Sequence, residues 1–244
     1  MKKLTNVFVV DRSGSMESKA EEVRSGLKQA LQEIKNDAIR DIPIATVGTI
    51  LTQFSSHNDF EVTLNTVDST SLDPEVANSY TTRGMTALYD AIHNTFALVP
   101  EGQDGVFVTI FTDGGENDSK EITNKALKEL IEQKKGKNWV ITFMGTSEAD
   151  INNAVNLGIS RGNTMSFANN ARGVKGSMSK MSSMRATYTN ASFHPGIYAQ
   201  SVDLENLVAE DDKYQSVTKD VIDKTAELLK KKDKDDNGKT DTNL

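Results

Sequence analysis

Apolar positions recur along this chain with two periods. Val7 to Val10 form an unbroken run of β-branched and aromatic residues, as a strand buried on both faces requires. Val23, Leu27, Leu31 and Ile34 then recur at spacings of four, four and three, one face of a helix. Ile42 to Phe54 reads as a second strand. Phe60 to Val67 alternates apolar and polar, which suits an antiparallel hairpin partner or an edge strand.

The same rhythm continues downstream. Ser79 to Arg83 is a polar loop closing at Gly84, and Thr86 to Val99 reads as a helix with Leu88, Ile92 and Phe96 or Thr95 on one face. Gly105 opens the strongest strand, Val106 to Phe111. A lysine-rich helix follows, with Ile122, Ala126 and Leu130 expected inward, then a strand at Trp139 to Met144, a short helix at Ile151 to Leu157 and a short strand at Thr164 to Phe167. Strands alternating with helices imply an α/β fold: a doubly wound, mainly parallel sheet with one antiparallel edge strand and helices on both faces. We expect residues 1–170 to form this domain and 171–230 a helical extension on or beside it. In that extension Met178, Met181 and Met184 share a face, Tyr188 to Tyr198 is irregular with a turn at Pro195-Gly196, and Val217 to Leu229 is helical. Residues 231–244 are a charged tail expected to be disordered.

Composition narrows the function classes. The chain has 244 residues, 36% hydrophobic and 26% charged, enough for one well-buried core without covalent staples. It contains no cysteine, which excludes disulfides, thiolate zinc sites and a cysteine nucleophile. A net charge of -7 argues against a surface that coats nucleic acid. The start at Met1 to Asp11 imitates a signal peptide. Asn6 breaks its apolar stretch, Asp11 ends it, and no small-residue cleavage site follows, so a buried first strand accounts for it better. No segment approaches the ~20 continuous apolar residues of a membrane helix. A cytoplasmic setting is expected, with a virion as the other possibility.

The candidate chemistry lies in three polar clusters at equivalent places: after the first strand, at the start of a helix, and after the central strand. Loops at the carboxyl ends of parallel strands converge on one crevice. Asp11-Arg12-Ser13-Gly14-Ser15 should therefore face Thr112-Asp113-Gly114-Gly115, with Thr86 approaching from a third loop. Asp11, Ser13, Ser15, Thr86 and Asp113 supply only hard oxygens, which select Mg²⁺, or Mn²⁺ or Ca²⁺, over softer metals. Two aspartates leave a dication roughly neutral. With serine and threonine as direct ligands and an aspartate acting through water, the metal keeps positive character and an open position, which an incoming carboxylate would fill. Helix capping would account for Asp11, Ser13 or Ser15 singly, but not for their coincidence with Thr86 and Asp113. An aspartate-nucleophile phosphotransferase is the catalytic rival. That chemistry wants a second acid two residues on, where Ser13 stands, so no enzyme is expected.

D-x-S-x-S at 11–15, Gly-Met-Thr-Ala-Leu-Tyr-Asp-Ala-Ile at 84–92 and Thr-Asp-Gly at 112–114 together resemble the metal-ion-dependent adhesion site of von Willebrand factor type A domains. The resemblance covers roughly residues 4–170. It implies that Ser13, Ser15 and Thr86 ligate Mg²⁺, that Asp11 and Asp113 contact it directly or through water, and that an Asp or Glu of a protein partner completes the sphere. It also implies a mainly parallel sheet with one antiparallel edge.

Tyr80 and Arg83, just before Thr86, and Glu116 and Asn117, just after Asp113, are candidate partner contacts. A solvated acidic turn is the plainer account of Glu116, Asn117 and Asp118. His57, His93 and His194 are too scattered for a metal cluster or a base, and the lysines between 120 and 137 read as a wet helix face. Asp233 to Asp241 fits the first nine positions of a calcium loop, but Leu244 stands where a bidentate Glu belongs. The function expected is metal-dependent protein recognition. An adaptor to an ATPase machine, an assembly subunit of a larger particle and a metal-dependent phosphohydrolase are the alternatives.

Overall fold

A computed structural model of the chain describes residues 1–41 and 45–193. Six strands form one sheet: β1 (Lys2–Asp11), β2 (Ala45–Phe54), β3 (Phe60–Thr66), β4 (Gly105–Phe111), β5 (Trp139–Gly145) and β6 (Thr164–Ser166), in the order β3-β2-β1-β4-β5-β6. All neighbours pair in parallel except β2 and β3, which are antiparallel. The hairpin partner expected at 60–67 is therefore the antiparallel edge. The helices are α1 (Ala20–Asp41), α2 (Leu88–Leu98), α3 (Asn124–Lys135), α4 (Glu148–Asn156) and α5 (Ala171–Phe193).

Period-two alternation in the central strands sends side chains into two cores. Val7, Val9, Val108 and Ile110 face Leu88, Ile92 and Phe96 of α2 and Leu127 and Ile131 of α3. Phe8, Val10 and Phe111 face Val23, Leu27, Leu31 and Ile34 of α1 and Met178 and Met181 of α5. Burial on both faces explains why β1 and β4 read as continuous apolar runs. A Cβ on Gly26 would lie 2.7 Å from Met178 Cγ, so the missing side chain at 26 lets α5 seat closely on α1.

Several boundaries differ from the sequence reading. The expected helix at 86–99 begins at Leu88, because Thr86 and Ala87 are tied to neighbouring loops. Leu127 and Ile131 are the buried residues of α3, whereas Ala126 is exposed. Ile122 and Leu130, also expected inward, are partly buried and pack against the same core as Leu127 and Ile131, and the helix starts at Asn124 behind a Thr123 cap. Tyr188 to Phe193 continues α5 rather than starting an irregular stretch. The expected turn at Pro195-Gly196, the helix at 217–229, the tail from 231 and its calcium-loop pattern lie outside the described residues, as do the first three residues of the strand expected at 42–54.

Candidate metal centre

The three polar clusters meet at the carboxyl ends of β1 and β4. Asp11 ends β1 and is fully buried. One of its oxygens, Oδ1, accepts the Ser13 N–H at 2.6 Å, and Oδ2 accepts the Thr112 hydroxyl at 2.6 Å. Burial pushes the Asp11 carboxyl up to about 6, against the hydrogen bonds from Thr112 and Ser13 that favour its ionised form.

Ser13 caps a 3-10 turn (Gly14–Lys19) that leads into α1. The Ser13 and Ser15 hydroxyls lie 3.1 Å apart, and Ser15 Oγ donates to Asp113 Oδ1 at 2.6 Å. Asp11, Ser13, Ser15 and Asp113 are thus joined in one hydrogen-bonded cluster, Asp11 through the Ser13 N–H and the others through their side-chain oxygens. The Thr86 hydroxyl lies next to the Asp113 loop, where a Cβ on Gly114 would be 3.7 Å from Thr86 Oγ1. Among those residues no group of three or more His, Asp or Glu side chains is placed to hold a metal. Any metal here must therefore draw on hydroxyls as well as the two carboxylates. The donor set fits a hard dication.

The Thr86 loop is held on both sides. The Gly14 N–H donates to Gly84 O at 3.1 Å, and the Ala87 N–H to Ser55 O at 2.7 Å. Gly84 adopts a φ of 71°, a left-handed backbone that favours glycine. From the other side, Asn117 Oδ1 accepts the Thr86 N–H at 2.9 Å, while the Asn117 and Asp118 N–H groups donate to Thr86 O. The 116–122 segment is fastened in turn by Asp90. That carboxylate accepts the N–H groups of Lys120, Glu121 and Ile122 and pairs with His57 Nδ1 at 3.0 Å.

Two groups of residues were not legible as parts of the centre. Asp90 and His57 appeared as an ordinary helix residue and a scattered histidine, and only their contact assigns them a role. Lys19 sits in the centre itself: its buried ammonium binds Asp113 Oδ2, Asn169 Oδ1 and, at 3.1 Å, Ser15 O. A lysine four residues after Ser15 falls one helical turn on, which is the only signal the sequence carries.

The proposed partner contacts sort differently. Tyr80 is fully buried, so it offers a partner no surface; this expectation is corrected. Its phenol donates to Asp11 O at 2.7 Å, and burial together with the nearby Asp11 and Asp113 carboxylates keeps it protonated. A hydroxyl on an aromatic body reaches the buried carbonyl that ends β1, and the polar loop in sequence conceals this. Glu116 turns inward, where its carboxylate accepts the N–H groups of Tyr89, Asp118 and Ser119. Asn117 is exposed. Arg83 is half exposed and makes two hydrogen bonds to Asp59, at 2.7 and 2.9 Å.

Arg12, inside the D-x-S-x-S segment, is buried and pairs with Asp59 at 2.5 Å and Glu61 at 2.6 Å. Asp59 thus joins two arginines. Burial raises its carboxyl, but hydrogen bonds from Arg83, Ser55 and Arg12 outweigh burial and hold it at about 2. A carboxyl depressed on folding stabilises the native state above its unfolded value, and that contribution is lost as pH falls through the folded value. Asp59→Asn should therefore cost about 2 kcal/mol at neutral pH. The gap between the melting curves of variant and wild type should close as pH falls from 5 toward 2. A gap that stays constant over that range would remove Asp59 as the acid-sensitive tie.

The family model described as von Willebrand factor type A domain matches residues 7–179. No curated protein matches the sequence. Among solved structures, the chain is similar to the open conformation of the pilus adhesin SpaC from Lactobacillus rhamnosus GG. The TM-score is 0.61 at 16% identity, covering 78% of this chain and 30% of the adhesin. It is also similar to the vWF domain of the type V pili tip protein Mfa5 from Porphyromonas gingivalis, with a TM-score of 0.57 at 9% identity, covering 76% of this chain and 96% of that one. A third relative is proximal thread matrix protein 1 from the mussel byssus, with a zinc-occupied MIDAS motif. There the TM-score is 0.57 at 14% identity, covering 75% of this chain and 46% of that one. The chain thus spans under a third of the pilus adhesin and under half of the mussel protein.

Proposed function

The chain belongs to the von Willebrand factor type A domain family, and from that premise we propose that it is a divalent-metal-dependent protein recognition module without catalytic activity. Asp11, Ser13, Ser15, Thr86 and Asp113 would hold Mg²⁺, and an Asp or Glu of a partner protein would complete the coordination. The observation that supports this reading is the hydrogen-bonded cluster that runs from Asp11 through Ser13 and Ser15 to Asp113, with the Thr86 loop tied to Gly14 beside it. The occupied MIDAS motif of the mussel protein supports a metal at the corresponding place in the fold. Zinc there and magnesium here are compatible, since both accept oxygen ligands.

The chain's own residues prepare the centre. Thr112 and the Ser13 N–H fix the rotamer of Asp11, Tyr80 holds the Asp11 carbonyl, and Asn117 holds the backbone of Thr86. Bound metal would supply a positive point with an open position. Arg83 and Asn117, both exposed, would be contacts for the partner. Among the described residues no helix is long and apolar enough to cross a membrane.

A second reading, an assembly subunit of a larger structure, draws support from the pilus and thread-matrix proteins among the structural relatives. One experiment addresses both. Proteins captured by the immobilised chain in Mg²⁺ should be released by EDTA and should not be captured by Thr86→Ala. Capture indifferent to EDTA and to the substitution would refute metal-bridged recognition. An assembly subunit, unlike a recognition module, should sediment as an oligomer without any partner.

A further inference from the structure

Lys19 brings into the centre a cation that none of the three motifs contains. It is the last residue of the 3-10 turn after Ser15, and its side chain is 2% exposed. An ammonium has three hydrogens, and here three acceptors surround it: Asp113 Oδ2, Ser15 O and Asn169 Oδ1. The Asp113 side chain is itself 1% exposed. This is a buried ion pair, in which each charge has given up its water and is held by the other. A divalent cation entering the cluster would claim the same Asp113 carboxylate, and an ammonium held on that carboxylate in a low-dielectric site would repel it.

We infer that Lys19 is the resident counter-ion of Asp113 and that divalent metal binds in competition with it. The inference rests on the metal-centre reading above. It has two consequences for how the centre works. Metal affinity is set below what the five oxygen ligands alone would give, because the ion must take Asp113 from an ammonium already there. The ammonium still has Ser15 O and Asn169 Oδ1 as acceptors, so these would keep it in the centre once a metal had taken Asp113. With Lys19 present, Asp11 and Asp113 together carry only one uncompensated negative charge. A bound dication then leaves the centre net positive rather than neutral, which favours an anionic side chain in the open position. Lys19 thus lowers affinity for the metal and raises the pull on a partner carboxylate.

The test is calorimetric titration of Mg²⁺ into the metal-stripped full chain, comparing wild type with Lys19→Gln. Glutamine keeps a donor for Asn169 or Ser15 O and removes the charge. Lys19→Gln should bind Mg²⁺ at least about tenfold more tightly. Without metal it should melt lower than wild type, because Asp113 is left buried without a counter-ion, and Mg²⁺ should raise its melting temperature by more. A variant that folds only when Mg²⁺ is supplied reports the same competition and supports the inference. So does Mg²⁺ binding by the variant alone, with wild type too weak to detect. Equal or weaker affinity in Lys19→Gln, with wild-type binding measurable, overturns the competition and leaves the metal centre standing. Mg²⁺ binding by neither chain, both folded, overturns the metal centre and this inference with it.

Discussion

Asp11→Ala should lower Mg²⁺ affinity by about a hundredfold or more, since removing even an outer-shell partner of a metal ligand costs 10–100-fold. The reason is geometric as well as electrostatic. Asp11 ends β1 at the centre of the oxygen cluster, with one carboxylate oxygen on the Ser13 N–H and the other on the Thr112 hydroxyl. Alanine removes a ligand charge and also releases the Ser13 backbone that aims the Ser13 and Ser15 hydroxyls. The fold should survive. Losing one buried acceptor costs roughly 1–3 kcal/mol, and the variant no longer buries a carboxylate that burial already disfavours. Calorimetric titration alongside far-UV circular dichroism checks both halves. Native spectra with unchanged Mg²⁺ affinity would dismiss Asp11 as a ligand.

The second large effect lies away from the oxygen cluster. Asp90→Ala should destabilise the domain by about 3 kcal/mol, because a side chain 4% exposed is the shared acceptor for three backbone N–H groups and for His57. For a domain of this size that corresponds to a fall of roughly 6–12 °C in melting temperature. Burial raises the Asp90 carboxyl, but the hydrogen bonds from Lys120, His57, Glu121 and Ile122 prevail and hold it below the usual carboxylate range. The anion is thus the form the site is built for. Loss of this clasp frees the segment that carries Asn117, and Asn117 fixes the Thr86 backbone. Metal affinity should therefore weaken together with stability. A melting temperature within about 2 °C of wild type would show that the loop is held by something else.

Much of the fold was legible because its strands obey a simple rule. A strand covered by helices on both faces must be apolar throughout, and β1 and β4 are. The amphipathic stripe of α1 was equally plain, since Val23, Leu27, Leu31 and Ile34 are all buried. In the lysine-rich α3 the pattern was only partly legible: Ile122 and Leu130 pack on the core as expected, but Ala126 is exposed and the fully buried positions are Leu127 and Ile131. At the candidate site, the grouping of Asp11, Ser13 and Ser15 with Asp113 was readable because strand ends converge. The supporting residues were not. Tyr80, Asp90 and Lys19 act through contacts between segments 69, 30 and 94 residues apart, and no local spacing encodes those. Burial also reversed one expectation, since a tyrosine in a polar loop looks like surface until its hydroxyl finds the carbonyl at the end of β1.

The pairing of Arg12 with Asp59 and Glu61 has a consequence for the exposed edge of the sheet. β3 lies outermost and partly open, with Val62 42% exposed, and such an edge invites a neighbouring chain to add a strand or its own strand to slide. Sliding by one residue would turn Glu61 to the opposite face. The Arg12 guanidinium would then be stranded in the interior with half its counter-charge gone. The arginine inside the oxygen-bearing loop therefore acts as a registration pin, and mispairing of the hairpin is penalised from the same segment that builds the centre.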